Sequence, residues 1–246
     1  MKALILAAGY ATRLYPLTRN HPKPLLKLGK KPIISRIIEK IDGLPGVDEV
    51  IVITNSRFIS DFKKWQKGSK FKLRLSLVDD LTKNIDDRRG AIGDLSFAVA
   101  RKRIKDDLLV IAGDNIFADS LRNFIYFGKK MNNAVIGIYN IKNKTQARQY
   151  GVIKLDRKKR LVNFEEKPKK PKSTLVAMCL YYFPKKRLSL IKEYMHKNHR
   201  HDTAGSYISW LQGRTPVYGH VFDRWWYDIG DHKSYRQAQR HFINKK

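Results

Sequence analysis

The sequence has little of what marks several classes of protein. Its 246 residues contain one cysteine, Cys179, which lies in an apolar run; an internal disulfide is therefore excluded, and we expect a buried, inert thiol. No window of about eighteen uncharged apolar residues occurs, so we expect no membrane span. A strand-like segment starts at Lys2, which leaves no room for a signal peptide. These absences favour a cytoplasmic protein.

Acidic residues are scarce as well. The chain has 22 Asp and Glu against 51 Lys and Arg, which gives a net charge of +29. Such a charge favours anionic partners, nucleic acid or an anionic membrane surface among them. The cations are scattered over turn-like and helix-end segments such as residues 157–160, and no nucleic-acid-binding signature accompanies them. We therefore expect a solvated basic surface and no nucleic-acid partner.

Both common glycine-rich phosphate motifs, G-x-x-x-x-G-K-[ST] and G-x-G-x-x-G, are absent. In their place, an apolar strand runs into the small residues 7–9, and Arg13 and Lys23 follow in a segment that holds three prolines. Small residues let a ligand approach backbone N–H groups closely. Arginine can fork onto phosphate oxygens, and lysine supplies a mobile point charge. The segment predicts a polyphosphate-binding loop.

Strand-like and helix-like segments alternate in the first half of the chain. Short apolar runs rich in Ile or Val predict buried parallel strands at residues 3–7, 49–54 and 108–112. Helical spacing predicts helices at residues 33–41 and 91–104, and alternation predicts a strand with one wet face at residues 71–77. This order predicts a mostly parallel sheet that binds ligands at the carboxyl ends of its strands.

The second half is richer in hairpins. Residues 152–155 and 161–164 predict a hairpin, and residues 175–183 predict a long strand. Helical patterns follow at residues 185–196, 204–212 and 233–242. One compact α/β unit with a hairpin-built lobe accounts for this pattern.

Two aspartates are candidate metal ligands. Asp114 directly follows an apolar strand, and Asp228 lies in the segment Trp226-Tyr227-Asp228-Ile229-Gly230. Mg²⁺ prefers such carboxylate oxygens and usually takes one or two of them from a protein. The alternative interpretations are an Asx turn for Asp114 and an ordinary loop acid for Asp228.

Together these segments resemble the sugar-1-phosphate nucleotidyltransferases, most closely the glucose-1-phosphate thymidylyltransferase type. The family pattern G-x-G-T-R-L-x-P-L-T, followed by K-P-L, is matched at residues 9–18 and 23–25, with Ala11 in place of the second glycine. The G-D-N turn, an E-E-K-P run and a W-x-D-x-G segment follow in the family's order. The chain contains no hexapeptide repeat, so it resembles the short form without a β-helix domain.

The resemblance implies an α/β fold with a Rossmann-like, mostly parallel mixed sheet flanked by helices. It implies a single domain, residues 1–246, with a nucleotide-binding half (about 1–135) and a sugar-binding half (about 136–246). The implied reaction transfers a nucleotidyl group from a nucleoside triphosphate to a sugar-1-phosphate, with Mg²⁺ as cofactor, and yields a nucleotide-sugar and pyrophosphate. Family members are often oligomeric, so a homo-oligomer is compatible with the resemblance.

The resemblance also assigns roles to matching residues. It implies nucleotide binding by Leu6, Ala7, Ala8, Gly9 and Gly90; sugar binding by Gly151, Glu166 and Lys167; and metal binding by Asp114 and Asp228. It implies three catalytic cations, with Arg13 on the leaving pyrophosphate and Lys23 and Lys167 on the α- and sugar phosphates.

One difference from the family pattern leaves the identity of the nucleotide base undetermined. The thymidylyl branch reads the pyrimidine with a glutamine in G-x-A-Q, whereas this chain has Gly93 at the nearest match, beside Arg88 and Arg89. UTP, dTTP and CTP therefore all remain candidates.

Two other functions also stay open. The first is a cytidylyltransferase that uses CTP and phosphocholine, with an aromatic cage formed from Tyr181, Tyr182, Trp225 and Trp226. The second is a non-catalytic module that binds nucleotides or polyanions.

Overall fold

The computed structural model describes residues 1–197 and 203–243, and it confirms the predicted α/β fold. The strands in chain order are β1 (Lys2–Leu6), β2 (Lys27–Leu28), β3 (Lys31–Pro32), β4 (Glu49–Thr54), β5 (Arg74–Asp79), β6 (Leu108–Ala112), β7 (Asn115–Phe117), β8 (Ala134–Asn140), β9 (Gly151–Leu155), β10 (Leu161–Glu166), β11 (Leu175–Phe183), β12 (Val217–Phe222) and β13 (Trp226–Asp228). The helices are α1 (Ile33–Ile41), α2 (Ile59–Lys67), α3 (Gly90–Arg101), α4 (Leu121–Met131), α5 (Lys144–Ala147), α6 (Ser189–Lys197), α7 (Ala204–Gln212) and α8 (His232–Ile243).

The chain forms two compact units. Unit 1 contains Met1–Arg89, Ile111–Ala118 and residues from Trp225 onward, and unit 2 contains Gly90–Val110 and Asp119–Arg224. The units are therefore interleaved along the chain, because the segment around β7 and the C-terminal helix both belong to unit 1.

Unit 1 has a parallel sheet. β4 pairs with β1 on one side and with β5 on the other, both parallel, and its six residues are all buried. The helix α1 contributes to this core five isoleucines that are at most 1% exposed: Ile33, Ile34, Ile37, Ile38 and Ile41. The 3.6-residue period of the helix brings these side chains to one face, as the sequence predicts.

The sheet of unit 2 is mixed. β8 pairs antiparallel with β11 and parallel with β12, and β9 and β10 form the predicted antiparallel hairpin. The helix α7 packs on β10 of this hairpin, so hairpin and helix together form a wall of unit 2. Across residues 1–197 and 203–243, the structure contains no helix with the length and apolar character that a membrane crossing needs.

Several predicted elements differ from the structure by one to four residues at their ends; the helix predicted at residues 185–196, for example, begins at Ser189. Two of these differences have a local cause. The strand predicted at residues 71–77 is β5, Arg74–Asp79, because the backbone N–H groups of Lys72 and Leu73 donate to the Asp42 carboxylate instead of joining the sheet. The helix predicted at residues 91–104 ends at Arg101, and Arg103 follows in the left-handed region with φ 49°.

The prediction of a buried Cys179 is wrong, because the structure places this side chain at the surface. The register between β11 and β8 shifts between Ala177 and Tyr181, and Cys179 has a φ of 51° within this irregularity. A bulge of this kind re-aims the side chain that it carries, so the apolar sequence context does not predict the exposure of the thiol.

Candidate active site

The loop after β1 and the turn after β6 lie side by side in unit 1. The backbone N–H of Gly113 donates to the carbonyl oxygen of Leu6 at 2.8 Å. A β-carbon on Gly113 would lie 2.8 Å from the same oxygen and 3.2 Å from Pro24, so this close approach requires glycine. The two predicted functional loops thus share one edge of the sheet.

The predicted polyphosphate-binding loop, which begins at residues 7–9, is held in place by hydrogen bonds to its carbonyl groups. The buried side chains of Thr54 and Asn55 donate to the carbonyl oxygens of Ala7 and Ala8 at 3.3 and 2.8 Å. In the part of the chain that the structure describes, the following N–H groups, of Gly9, Tyr10 and Ala11, donate to no protein acceptor. Gly9 is exposed, and the space beside it is open. This loop therefore offers backbone donors to an anionic ligand.

Ala11 takes the left-handed conformation that its position in the turn requires. Its φ and ψ are 49° and 42°, directly before the 3₁₀ turn Thr12–Leu14, and the hydroxyl of Thr18 donates to its carbonyl oxygen at 2.8 Å. An alanine in this region costs about 1–2 kcal/mol of backbone energy. Alanine thus adopts the left-handed conformation at the position where the family pattern has glycine.

The two candidate metal ligands are brought together by a short strand pair. β13 pairs antiparallel with β7, which puts Asp228 opposite Asn115, and the N–H of Ile229 donates to the backbone carbonyl of Asp114 at 3.1 Å. The amide of Asn115 donates to Asp114 Oδ1 at 3.1 Å and accepts from the indole N–H of Trp226 at 2.5 Å. These bonds orient the Asp114 carboxylate.

Two cations border the carboxylates. Lys23 Nζ lies 2.5 Å from Asp114 Oδ2 and donates to the carbonyl oxygen of Ile229 at 3.1 Å. The Arg13 guanidinium is exposed and reaches within 3.6 Å of the point that a β-carbon on Gly230 would occupy. Positive side chains from the N-terminal segment thus meet carboxylates from two distant parts of the sequence.

Asp228 is electrostatically strained. Burial, together with the neighbouring charge of Asp114, raises the pKa of the Asp228 carboxyl to about 7, although Lys23 and Arg13 act in the opposite direction. Like-charged carboxylates at one site disfavour ionisation of both. A divalent cation would relieve this repulsion.

The donor set fits Mg²⁺. This ion keeps several waters and usually takes one or two carboxylates from a protein, which matches Asp114 and Asp228. Within residues 1–197 and 203–243, no group of three or more His, Cys, Asp or Glu side chains could hold a metal ion, so a protein cage of the kind built for zinc is not present there.

The predicted sugar-binding residues lie together in unit 2. Gly151 in β9 pairs with Glu166 in β10, and the ring of Phe164 fills the space that a β-carbon on Gly151 would need. Lys167 follows with a φ of 45°; its N–H donates to the carbonyl of Tyr150 at 3.1 Å, and its Nζ lies 3.8 Å from Glu166 Oε1. The side chains of Glu166 and Lys167 are both open to solvent.

The residues around Gly93, where the family has its base-reading glutamine, differ in burial and in contacts. Gly90, in unit 2, begins α3 with a φ of 73°, and Gly93 is buried in that helix. In unit 1, Arg88 is exposed, and Arg89 Nε donates to the carbonyl oxygen of Asp80 at 2.6 Å.

The aromatic cage predicted for phosphocholine does not form from the four rings named for it. Tyr181 and Tyr182 are at most 5% exposed, since β11 packs both faces into the core of unit 2. In unit 1, Trp225 packs against His241 with ring centroids 4.4 Å apart, and Trp226 donates to Asn115. These rings serve packing and positioning instead.

Sequence reasoning missed three residues that support the site. Thr54, the last residue of β4, and Asn55, directly after it, hold the phosphate loop, and Asn115 links Trp226 to Asp114. A polar pair at the carboxyl end of the apolar run in residues 50–53 is the signal that could have found Thr54 and Asn55, because such residues lie at the ligand-binding edge of a parallel sheet.

Known proteins resemble the chain over its whole length. The family model described as nucleotidyl transferase matches residues 2–245. The bifunctional protein GlmU of Methanocaldococcus jannaschii is 30% identical over 247 residues, covering 100% of this chain and 55% of the relative. A glucose-1-phosphate thymidylyltransferase of Neisseria meningitidis is 27% identical, covering 97% of this chain and 81% of the relative. The chain thus spans about half the length of the GlmU relatives that it matches.

Solved structures resemble the fold closely. A Bacillus anthracis protein, described as a glucose-1-phosphate thymidylyltransferase and solved with a sucrose, superposes with a TM-score of 0.86 at 25% identity, covering 100% of this chain and 96% of that one. A UDP-glucose pyrophosphorylase complexed with UDP-glucose has a TM-score of 0.83 at 20% identity, covering 100% and 99%. The second likeness bears on the fold alone.

Proposed function

The chain belongs to the nucleotidyl transferase family, and we propose that it transfers a nucleotidyl group from a nucleoside triphosphate to a sugar-1-phosphate. The products are a nucleotide-sugar and pyrophosphate. The observation that carries this proposal is the meeting of Asp114, Asp228, Lys23 and Arg13 beside a loop with unbonded N–H groups. This combination suits a polyphosphate that reacts with a second anion.

The chemistry requires alignment and charge stabilisation. An oxygen of the sugar-1-phosphate attacks the α-phosphorus in line, a P–O bond forms, and the bond to the β-phosphate oxygen breaks and releases pyrophosphate. The nucleophile is already an anion, so no general base is needed. The protein has to hold two mutually repelling anions in contact and to stabilise the charge that develops between them.

In unit 1, each charged group has a proposed task. The N–H groups of the loop at Gly9 bind phosphate oxygens, Arg13 holds the departing pyrophosphate, and Lys23 contacts the α-phosphate. Asp114 and Asp228 would hold a divalent cation such as Mg²⁺, which when bound neutralises phosphate charge. Leu6, Ala7 and Ala8 position the loop through the carbonyl bonds described above.

In unit 2, the proposed tasks concern the acceptor and the nucleotide. Glu166 binds sugar hydroxyl groups, Lys167 binds the sugar phosphate, and Gly151, which pairs with Glu166 and accommodates the Phe164 ring, supports this contact from β9. Gly90, with its positive φ at the start of α3, is proposed to contact the nucleotide. These roles follow from the family resemblance at the matching positions.

A screen of pyrophosphate release tests the proposal. UTP, dTTP, CTP and ATP are each combined with several hexose-1-phosphates in the presence of Mg²⁺, with a chelator as the control. The proposal expects release that needs both substrates and the metal. Triphosphate binding without release for any acceptor would instead favour a binding module, and release only with phosphocholine would favour the cytidylyltransferase.

A further inference from the structure

Unit 2 contains an open cavity beside the proposed sugar contact. Its volume is about 380 Å³, within the range of small-molecule sites. β10 supplies Phe164 and Glu166, α6 supplies Tyr194, and α7 supplies Ser206, Ser209 and Trp210. The family motifs in the sequence include only one of these lining residues, Glu166. The cavity therefore places side chains from two helices, α6 and α7, beside the Glu166 carboxylate.

A glycine fixes the position of the carboxylate in this cavity. A β-carbon on Gly205 would overlap Glu166 Oε2 and would lie 3.0 Å from the Phe164 ring. Glycine at this position lets Glu166 lie against the first turn of α7, where the positive end of the helix dipole favours an acid. Thr203 caps this turn by accepting a hydrogen bond from the N–H of Ser206 at 3.2 Å.

One face of α7 forms the opposite wall. Ser206, Ser209 and Trp210 are separated by three and four positions, so they lie on the same side of the helix. The Ser206 hydroxyl shares a hydrogen bond of 2.8 Å with the Thr203 hydroxyl, whereas Ser209 is exposed. The cavity thus combines a carboxylate, two hydroxyl groups and aromatic carbon, which together suit a hydroxyl-bearing ring.

The contacts already made by the Trp210 ring disfavour a quaternary ammonium as the acceptor. The guanidinium of Arg214 lies 5.2 Å from the centroid of the Trp210 ring, and the ring of Tyr207 stacks on Trp210 at 6.1 Å. Lys167 is already placed 3.8 Å from the Glu166 carboxylate. A quaternary ammonium needs a free ring face, and the Arg214 guanidinium and the Tyr207 ring already lie against Trp210.

We propose that α7 forms a specificity subsite for the acceptor, in which Ser209 and Ser206 bind hydroxyl groups on the edge of the sugar ring remote from its phosphate. Glu166 contacts the ring from the β10 side, and the part of Trp210 that lines the cavity contacts its carbon atoms. The inference rests on the proposed function, because it takes the acceptor to be a sugar phosphate. The inference adds to that function the residues that determine which sugar is bound.

The test combines the Ser209→Ala variant with a set of deoxy sugars. Ser209 is preferred because Ser206 also supports the N-terminal cap of α7. Ser60→Ala, an exposed serine on α2, is the matched control. Binding of hexose-1-phosphates and their monodeoxy analogues is measured by calorimetry, and KM and kcat are measured by pyrophosphate release.

Loss of one neutral hydrogen bond weakens binding by about fivefold. We expect Ser209→Ala to weaken binding of the preferred sugar phosphate, and to raise its KM, by this factor, with kcat and the KM for the triphosphate unchanged. One deoxy analogue should bind about fivefold more weakly than its parent to the unmodified protein, yet equally to Ser209→Ala. Ser60→Ala should match the unmodified protein throughout.

Three results would overturn the inference. They are equal sugar binding by Ser209→Ala and the unmodified protein, an unchanged deoxy-sugar profile in the variant, and tighter binding of phosphocholine than of any sugar phosphate. Because calorimetry does not depend on turnover, a subsite failure is distinguishable from a failure of the proposed reaction, which would appear as bound sugar phosphate without pyrophosphate.

Discussion

Replacement of Asp228 by asparagine should make the metal-free protein more stable at alkaline pH. The pKa of this carboxyl is raised from 3.8 to about 7, so between these values the folded chain binds more protons than the unfolded chain. Stability therefore falls as the pH rises through this window. Asparagine at position 228 removes the titrating group and with it this loss.

The size of the effect follows from the raised pKa. A tenfold change in an ionisation constant corresponds to about 1.4 kcal/mol, so ionisation of Asp228 costs the metal-free protein at most about 4 kcal/mol above pH 8. Well below pH 3.8 the carboxyl is protonated in both states, and the aspartate contributes no penalty. A bound divalent cation removes the penalty, so Mg²⁺ should raise the Tm more at pH 8 than at pH 5.5.

Urea unfolding in EDTA, from pH 4 to pH 8.5, measures this difference. We expect the unmodified protein to lose stability relative to Asp228→Asn as the pH rises. In a parallel series with Mg²⁺ instead of EDTA, the variant should lack the stabilisation that the metal gives the unmodified protein. Asp106→Asn, at an exposed position, serves as the control and should follow the unmodified protein. Parallel pH profiles for Asp228→Asn and the unmodified protein would refute the reasoning.

Four further substitutions test separate parts of the site. Arg13→Ala and Asp114→Asn should each lower turnover by about a hundredfold with unchanged circular dichroism, because each removes a preorganised charge; near-normal turnover would exclude that residue from the scheme. Ala11→Gly should raise the free energy of unfolding in urea by about 0.5 kcal/mol, since glycine relieves the left-handed strain at a smaller entropic cost; a loss of stability would argue against that strain. Gly113→Ala should lower it by about 1–3 kcal/mol, because the new methyl group would press on the Leu6 carbonyl; an unchanged unfolding curve would contradict this packing.

The sequence predicts the parts of the site that depend on parallel-sheet topology. Strands β1 and β6 are short apolar runs, and their carboxyl ends meet at one edge, which brings Gly113 beside Leu6. The pairing of β7 with β13 depends instead on residues more than a hundred positions apart, so sequence spacing alone does not show that Asp228 lies opposite Asn115. The family motif supplies that link.

The failed predictions have a different origin. The apolar pattern around Cys179 predicts a buried strand, and the neighbours of that residue are buried, but a local bulge exposes the thiol. From the same apolar pattern, one cannot tell whether Tyr181 and Tyr182 are core residues or part of a ligand-binding cage. Periodicity reports which element a residue belongs to, and it does not report register irregularities or which face a ligand approaches.

The binding of Mn²⁺, used as a spectroscopic substitute for Mg²⁺, tests the central claim most directly. Electron paramagnetic resonance of the protein with a nucleoside triphosphate should show one bound Mn²⁺ per chain in the unmodified protein. Asp114→Asn and Asp228→Asn should each weaken this binding by at least tenfold, whereas Asp106→Asn should leave it unchanged. Undiminished Mn²⁺ binding by both active-site variants would show that the two carboxylates do not share an ion, and would contradict the account.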